Sequence, residues 1–256
     1  MRPDSFNASE FAQFERDGYV IARGLAAPTT VERMAELARH YLAAQSGPLE
    51  YEADVNYPGA PASRDAPGGR TVRRLLQAYA RDAAFREWAT SPLLVNRLRQ
   101  LLGPEIELSQ AHHNCIMTKD PSYSSITSWH QDIRYWAFER PELVSVWLAL
   151  GREHRENGCL LLLPGTHAIS FTAERLDDAK FLRPDREQNK TLLRTLVAAE
   201  LDAGDVLFFH CRLFHAAGHN QTAATKYSVV FTYHASGNRP VAGTRSAALP
   251  GIALPA

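Results

Sequence analysis

The sequence predicts a mainly β protein, a sandwich or barrel with helices laid over one face. Short β-favouring runs separated by turn residues recur between positions 106 and 233, the texture of many antiparallel strands. Helical periodicity is confined mainly to positions 1–103. The chain has 256 residues, 45% of them hydrophobic and 22% charged. That is enough for one sizeable core and is ordinary for a globular protein, so a single domain over 1–256 is the simplest organisation.

The elements follow in order. Ser9-Glu10-Phe11-Ala12-Gln13-Phe14 opens a helix on a capping serine, Asp17-Gly18 ends it, and Tyr19-Val20-Ile21 reads as a strand. Pro28-Thr29-Thr30 starts a second helix, in which Val31, Met34, Leu37, Ala38 and Leu42 recur at helical spacing. The stretch DVNYPGAPASRDAPGGR breaks into Pro, Gly and charge, so 54–74 is read as a loop long enough to serve as a lid. Arg81 to Leu102 returns to a helical period that Gly103-Pro104 stops, closing a largely helical N-terminal part.

The β core is expected over 104–235, with strands at 106–108, 114–117, 144–148, 159–163, 206–209 and 227–233. Asn157-Gly158, set between two apolar runs, signals a hairpin. Residues 171–195 form a charged insertion, and the tail 236–256, rich in Gly, Pro and Ala, reads as irregular.

Composition excludes some functions. Lys plus Arg (28) balance Asp plus Glu (28), so there is no overall basic field to hold nucleic acid or a membrane, and a small-molecule substrate is expected. Cys115, Cys159 and Cys211 are odd in number and form no C-x-x-C pair, so they read as small core residues. MRPDSFNASE has no signal pattern and no apolar run reaches about 18 residues. A cytoplasmic enzyme is expected.

The chemistry concentrates in two places. In a strand, His130 and Asp132 of Trp129-His130-Gln131-Asp132 point to one face. A third ligand, His215, comes from the segment that begins at Gly204-Asp205. Two histidines and one carboxylate on a single face suit iron(II), because three coordination positions stay open for oxygen and a chelating co-substrate. Alone, an H-x-D triplet is weak, and a surface histidine beside a solvated aspartate is its ordinary explanation.

The company of the triplet raises it. The chain resembles the phytanoyl-CoA dioxygenase family of 2-oxoglutarate-dependent oxygenases in FAQFERDGYV (11–20), WHQDIRYW (129–136), Trp147 with Glu156-Asn157-Gly158-Cys159-Leu160, Pro164-Gly165-Thr166-His167, and Gly204-Asp205 through His215, Gly218 and Asn220. The resemblance implies a double-stranded β-helix, or jelly roll, with N-terminal helices packed on one sheet. It implies iron(II) on His130, Asp132 and His215, with 2-oxoglutarate and O2 as co-substrates. The implied reaction hydroxylates an aliphatic carbon and releases succinate and carbon dioxide. Halogenating relatives carry a small residue where Asp132 stands, so hydroxylation is expected.

Two positions depart from the family pattern. The arginine expected eleven places after the distal histidine is Lys226, and the hydroxyl residue expected two places after it is Ala217. Lys226 keeps the charge without the bidentate fork. It is the expected anchor for the far carboxylate of 2-oxoglutarate, helped by a hydroxyl such as Thr127 or Tyr123; the alternative is a lysine reaching to solvent. The resemblance also places Asn114 and Trp147 in the co-substrate pocket. Arg134, two places past Asp132, would grip an acidic group of the substrate if the strand continues, or else stands solvated at the rim. His113 is a candidate for the substrate pocket, against a plain core or surface histidine. His210 and His167 read as structural, and Arg70, Arg73 and Arg74 as a solvated helix face or an anion site. The competing function is a cupin-like metal protein that does not use 2-oxoglutarate; Ala217 and Lys226 favour it.

Overall fold

The computed structural model describes residues 4–55 and 57–255. Helix α1 (Ala8–Asp17) begins at Asn7, whose side chain accepts from the backbone N–H groups of Ser9 and Glu10 while the Glu10 carboxylate accepts from the Asn7 N–H. The cap is therefore Asn7 and not Ser9, which lies inside the first turn. Gly18, at φ 77°, ends the helix in the left-handed region and sends the chain into β1 (Tyr19–Ala22). Then come α2 (Pro28–Ala43), β2 (Leu49–Tyr51) and β3 (Val72–Leu76).

The single helix expected over 81–102 is three: α3 (Ala78–Arg81), α4 (Ala83–Ala89) and α5 (Pro92–Leu102). Asp82 leaves helical geometry to cap α4 by accepting from the Ala84 N–H. Pro92, lacking an N–H, fits only the first turn of α5.

The remaining strands are β4 (Ile106–Leu108), β5 (Asn114–Lys119), β6 (Thr127–His130), β7 (Leu143–Ala149) and β8 (Leu160–Leu162). After helix α6 (Glu187–Leu193) come β9 (Val197–Ala198), β10 (Val206–His210), β11 (His215–Ala217), β12 (Lys226–Ala235) and β13 (Ile252–Ala253).

The strands form two antiparallel sheets. The larger runs β1-β10-β7-β12-β5-β3-β2, with β4 beside the far end of β12 and β13 beside β4; the smaller runs β6-β11-β8-β9. Side chains alternate between faces along each strand. Val144, Val146, Leu148, Phe208, Val229, Phe231 and Tyr233 point outward into a core with Phe14, Met34, Phe85, Trp88, Leu94 and Leu98 of the helices. Trp147, Leu207, Phe209 and Val230 point the other way and pack with Leu160 and Leu162 of the smaller sheet. Each large apolar side chain so buried contributes roughly 1.5–3 kcal/mol. The result is a jelly roll with helices on the outer face of the larger sheet.

Several boundaries differ from the expectation. The N-terminal part is not only a helical cover, because β1, β2 and β3 belong to the larger sheet. Asn157-Gly158 makes no hairpin: β7 is flanked by β10 and β12, so β8 joins the other sheet. A 3-10 turn over Arg155–Asn157, with Gly158 at φ 72°, hands the chain across. The lid loop stops before β3, so Arg73 and Arg74 lie on a strand. The tail returns at β13 to pair with β4. Among the described residues, no helix is long and apolar enough to cross a membrane.

Candidate metal centre

His130 ends β6 and His215 begins β11, and the two stand directly opposite each other in the register of those strands. Their ring centroids are 4.3 Å apart. The strand does not continue to Asp132. Gln131 is extended and Asp132 opens a 3-10 turn that swings its carboxylate back under the rings. Asp132 Oδ1 lies 3.8 Å from His130 Nε2 and 3.7 Å from His215 Nε2. All three residues are buried, and one ligand atom from each falls within 4.8 Å of the others.

Both imidazoles are oriented from behind. His130 Nδ1 meets the Ser128 carbonyl at 2.8 Å and His215 Nδ1 meets the Leu213 carbonyl at 3.0 Å. Each Nδ1 therefore carries the proton and each Nε2 offers a lone pair to the shared point. Burial, with His215 alongside, holds His130 well below the ordinary imidazole value, and burial pushes the Asp132 carboxyl up. Ser145 donates to Asp132 Oδ2 at 3.3 Å, and His113 Nδ1 stands 3.7 Å from the same oxygen. Two neutral nitrogens and one desolvated carboxylate make a donor set that fits a divalent transition metal.

The triad opens into a cavity between the sheets, lined also by Arg73, Arg74, Lys119, Thr127, Trp147 and Lys226. Lys226 does not stand free there. Its ammonium is 2.9 Å from Oε2 of Glu153, whose side chain is completely buried. Oε1 of the same carboxylate accepts from Trp147 Nε1 at 2.9 Å and from Ser228 Oγ at 2.6 Å. Thr127 lies cross-strand from Ala217, so its hydroxyl enters from the neighbouring strand beside the place that Ala217 leaves bare. Thr127 Oγ1 accepts from Arg73 at 3.3 Å.

A family model described as phytanoyl-CoA dioxygenase matches residues 14–228. The chain belongs to the phytanoyl-CoA dioxygenase family. The human peroxisomal phytanoyl-CoA dioxygenase is 26% identical over 231 residues, which are 84% of this chain and 64% of that protein, just under two thirds of its length. The ectoine dioxygenase of Sphingopyxis alaskensis is 25% identical over 250 residues, 91% of this chain and 77% of that one. The solved structure of EctD from S. alaskensis with 2-oxoglutarate and 5-hydroxyectoine matches at a TM-score of 0.75 and 22% identity, covering 94% of this chain and 80% of that one. At that identity the likeness is one of fold.

Within this phytanoyl-CoA dioxygenase fold, several expected site residues lie elsewhere. Asn114 sits on β5 with the parity of Ile116, which packs under the helices, and its Oδ1 accepts from the Tyr79 N–H at 2.8 Å. It is on the wrong face for the cavity. Arg134 is carried away by the 3-10 turn: its guanidinium stacks 3.9 Å from the centroid of Phe181 and donates to the Ala179 carbonyl, at the rim. Tyr123 is 42% exposed and does not line the cavity. His113 does line it, edge-on to Trp136, and His112 stacks on the same indole. His210 accepts from the Arg212 N–H and tilts against His167, away from the triad.

The residues that sequence reasoning missed are Lys119, Ser145 and Glu153. Arg73 and Arg74 were read as a solvated helix face or an anion site; they line the cavity, but from a strand and not a helix. Glu50 pairs with Arg74 and Tyr51 with Val72, so Arg73 is an extra residue in β3. That bulge turns two consecutive side chains toward the cavity. Lys119 has the parity of Cys115 and Met117, a signal that becomes readable once the inner face of β5 is known.

Proposed function

We propose that the chain is an iron(II)- and 2-oxoglutarate-dependent dioxygenase that hydroxylates an aliphatic carbon of a small molecule, releasing succinate and carbon dioxide. The direct opposition of His130 and His215, closed by Asp132, carries the reading. His130 Nε2, His215 Nε2 and Asp132 Oδ1 would hold the ion. Bound there, iron(II) supplies the oxygen activation that couples decarboxylation of a 2-oxo acid to substrate oxidation.

The chain's own side chains orient, neutralise and exclude. The Ser128 and Leu213 carbonyls fix the imidazoles, and Ser145 holds the second oxygen of Asp132. Trp147, Leu160 and Phe209 form an apolar wall beside the triad that keeps water from it. With Asp132 given to the divalent ion, the four cations Arg73, Arg74, Lys119 and Lys226 outnumber the three carboxylates beside them, Glu50, Glu52 and Glu153, by one, which suits an anionic co-substrate. A carboxylate at position 132 fills the place that a halide would need, which supports hydroxylation. An adjoining cavity, which His130 and Asp132 also line, is walled by Tyr57, Tyr135 and Trp136 and carries Glu50, Arg74 and Arg245. Such a lining suits a compact polar substrate better than a long acyl chain.

The test is metal uptake and co-substrate binding without oxygen. One iron(II) per chain should bind, and 2-oxoglutarate should then add a visible charge-transfer band. His215→Ala should lose both, and a His215→Ala protein that keeps them refutes the ligand assignment. The second reading, a cupin-like metal protein without 2-oxoglutarate, is favoured by Glu153, which already neutralises Lys226. An absent band together with no calorimetric binding would select it.

A further inference from the structure

We propose that Lys119 receives the far carboxylate of the 2-oxo acid, in place of the cation eleven positions beyond the distal histidine. The inference deepens the oxygenase reading and rests on it. Lys119 ends β5, directly across from Lys226 on β12, and only 9% of it is exposed. Its Nζ donates one hydrogen bond, to the Ser125 carbonyl at 3.1 Å, which leaves two N–H groups. Among the described residues no carboxylate comes within 4 Å of it. Glu153 is engaged by Lys226, Trp147 and Ser228. Glu52 faces Arg73 at 3.6 Å and accepts from the Ser125 N–H.

The other cations of the cavity are answered. Lys226 has Glu153, Arg73 has Glu50 and Glu52, and Arg74 has Glu50. Lys119 is the ammonium left over, buried in the cavity that the triad also lines. A buried charge without a counter-ion is expensive, so such a group either loses its proton or waits for an anion. Burial, together with the neighbouring Lys226 and Arg73, pushes Lys119 down to about 7. The fold nonetheless makes room for its stem. Gly158 stands at φ +72°, and a Cβ there would come within 2.6 Å of Lys119 Cε and 2.7 Å of the Gly218 carbonyl. A dicarboxylate whose keto-acid end chelates the metal brings the missing negative charge on its other end.

Calorimetry with manganese(II) in place of iron measures this without turnover. Two ligands are titrated: 2-oxoglutarate, and 2-oxovalerate, which has the same chelating end and a methyl group instead of the far carboxylate. Lys119→Met should weaken 2-oxoglutarate at least about a hundredfold, the loss expected when one partner of a buried ion pair is removed. It should change 2-oxovalerate less than about threefold. The double variant Glu153→Gln with Lys226→Met, which removes the neighbouring pair together, should lose less than about tenfold for 2-oxoglutarate. Ligand-free Lys119→Met should melt no lower than the wild type, because it sheds an unanswered ammonium.

The assignment of Lys119 is overturned if Lys119→Met binds 2-oxoglutarate like the wild type, loses both acids equally, or unfolds. It is also overturned if the double variant suffers the larger loss, which would return the role to Lys226. A wild type that takes manganese but neither acid refutes the oxygenase reading itself. That outcome is distinct from a wild type that binds and a Lys119→Met protein that does not differ.

Discussion

Replacing Glu153 with alanine should destabilise the protein severely, although Glu153 is neither a metal ligand nor part of the core of apolar side chains. Its carboxylate is wholly buried and holds three donors at once: Lys226 at 2.9 Å, Trp147 Nε1 at 2.9 Å and Ser228 Oγ at 2.6 Å. Removing it strands an ammonium in the interior, which costs about 3–5 kcal/mol. The indole and hydroxyl left unpaired are not added on top, since the space vacated by the Glu153 carboxylate can take a water that meets them. For a chain of this size each kcal/mol corresponds to roughly 2–4 °C, so the melting temperature should fall by about 6–20 °C. The assay is thermal unfolding followed by circular dichroism at neutral pH. Adding Lys226→Met to the Glu153→Ala background should recover at least half of the loss, because the stranded charge is then gone. A fall under about 2 °C, or no recovery in the double variant, would show that the carboxylate is not the counter-ion of Lys226.

Two further outcomes follow from the same geometry. Ser145→Ala frees the outer oxygen of Asp132 and should weaken manganese binding about 10–100-fold by calorimetry; unchanged affinity would mean that Ser145 does not position the ligand. Lys119, at about 7 in the folded chain against 10.5 ordinarily, makes the native state hold fewer protons than the unfolded state between those values. Ligand-free stability should then rise with pH across that window, by up to about 1.4 kcal/mol per pH unit. The measurement is the melting difference between wild type and Lys119→Met from pH 7 to 9, and a flat difference would contradict the environment assigned to Lys119.

Much of the β core was legible because each inner strand is an apolar run bounded by turn residues, and β7, β10 and β12 fall within a few residues of their expected limits. The metal triad was legible for a different reason: an H-x-D triplet is weak alone, but His130, Asp132 and His215 lie among several motifs in one order, which together resemble a single family. What failed did so where a local pattern was settled by a distant partner. Asn157-Gly158 has hairpin chemistry, yet β7 was already flanked on both sides, so the turn became a crossover. Arg134 was placed by strand parity, and parity ended when Asp132 entered a 3-10 turn. The face of Asn114 depended on which side of β5 meets the helices, which β5 alone does not state. Lys226 and Glu153 are 73 residues apart, and nothing local pairs them. The bulge that turns Arg73 inward is a property of two strands, visible only in their register.

The smaller sheet is held together by little. β6 and β11 are four and three residues long, at the short end of the range for strands. The two imidazoles face each other across this short seam. Anything that bridges them rivets the seam, so loading the centre and stiffening that half of the sandwich are one equilibrium. Occupancy of the centre should therefore set how readily this edge of the molecule frays.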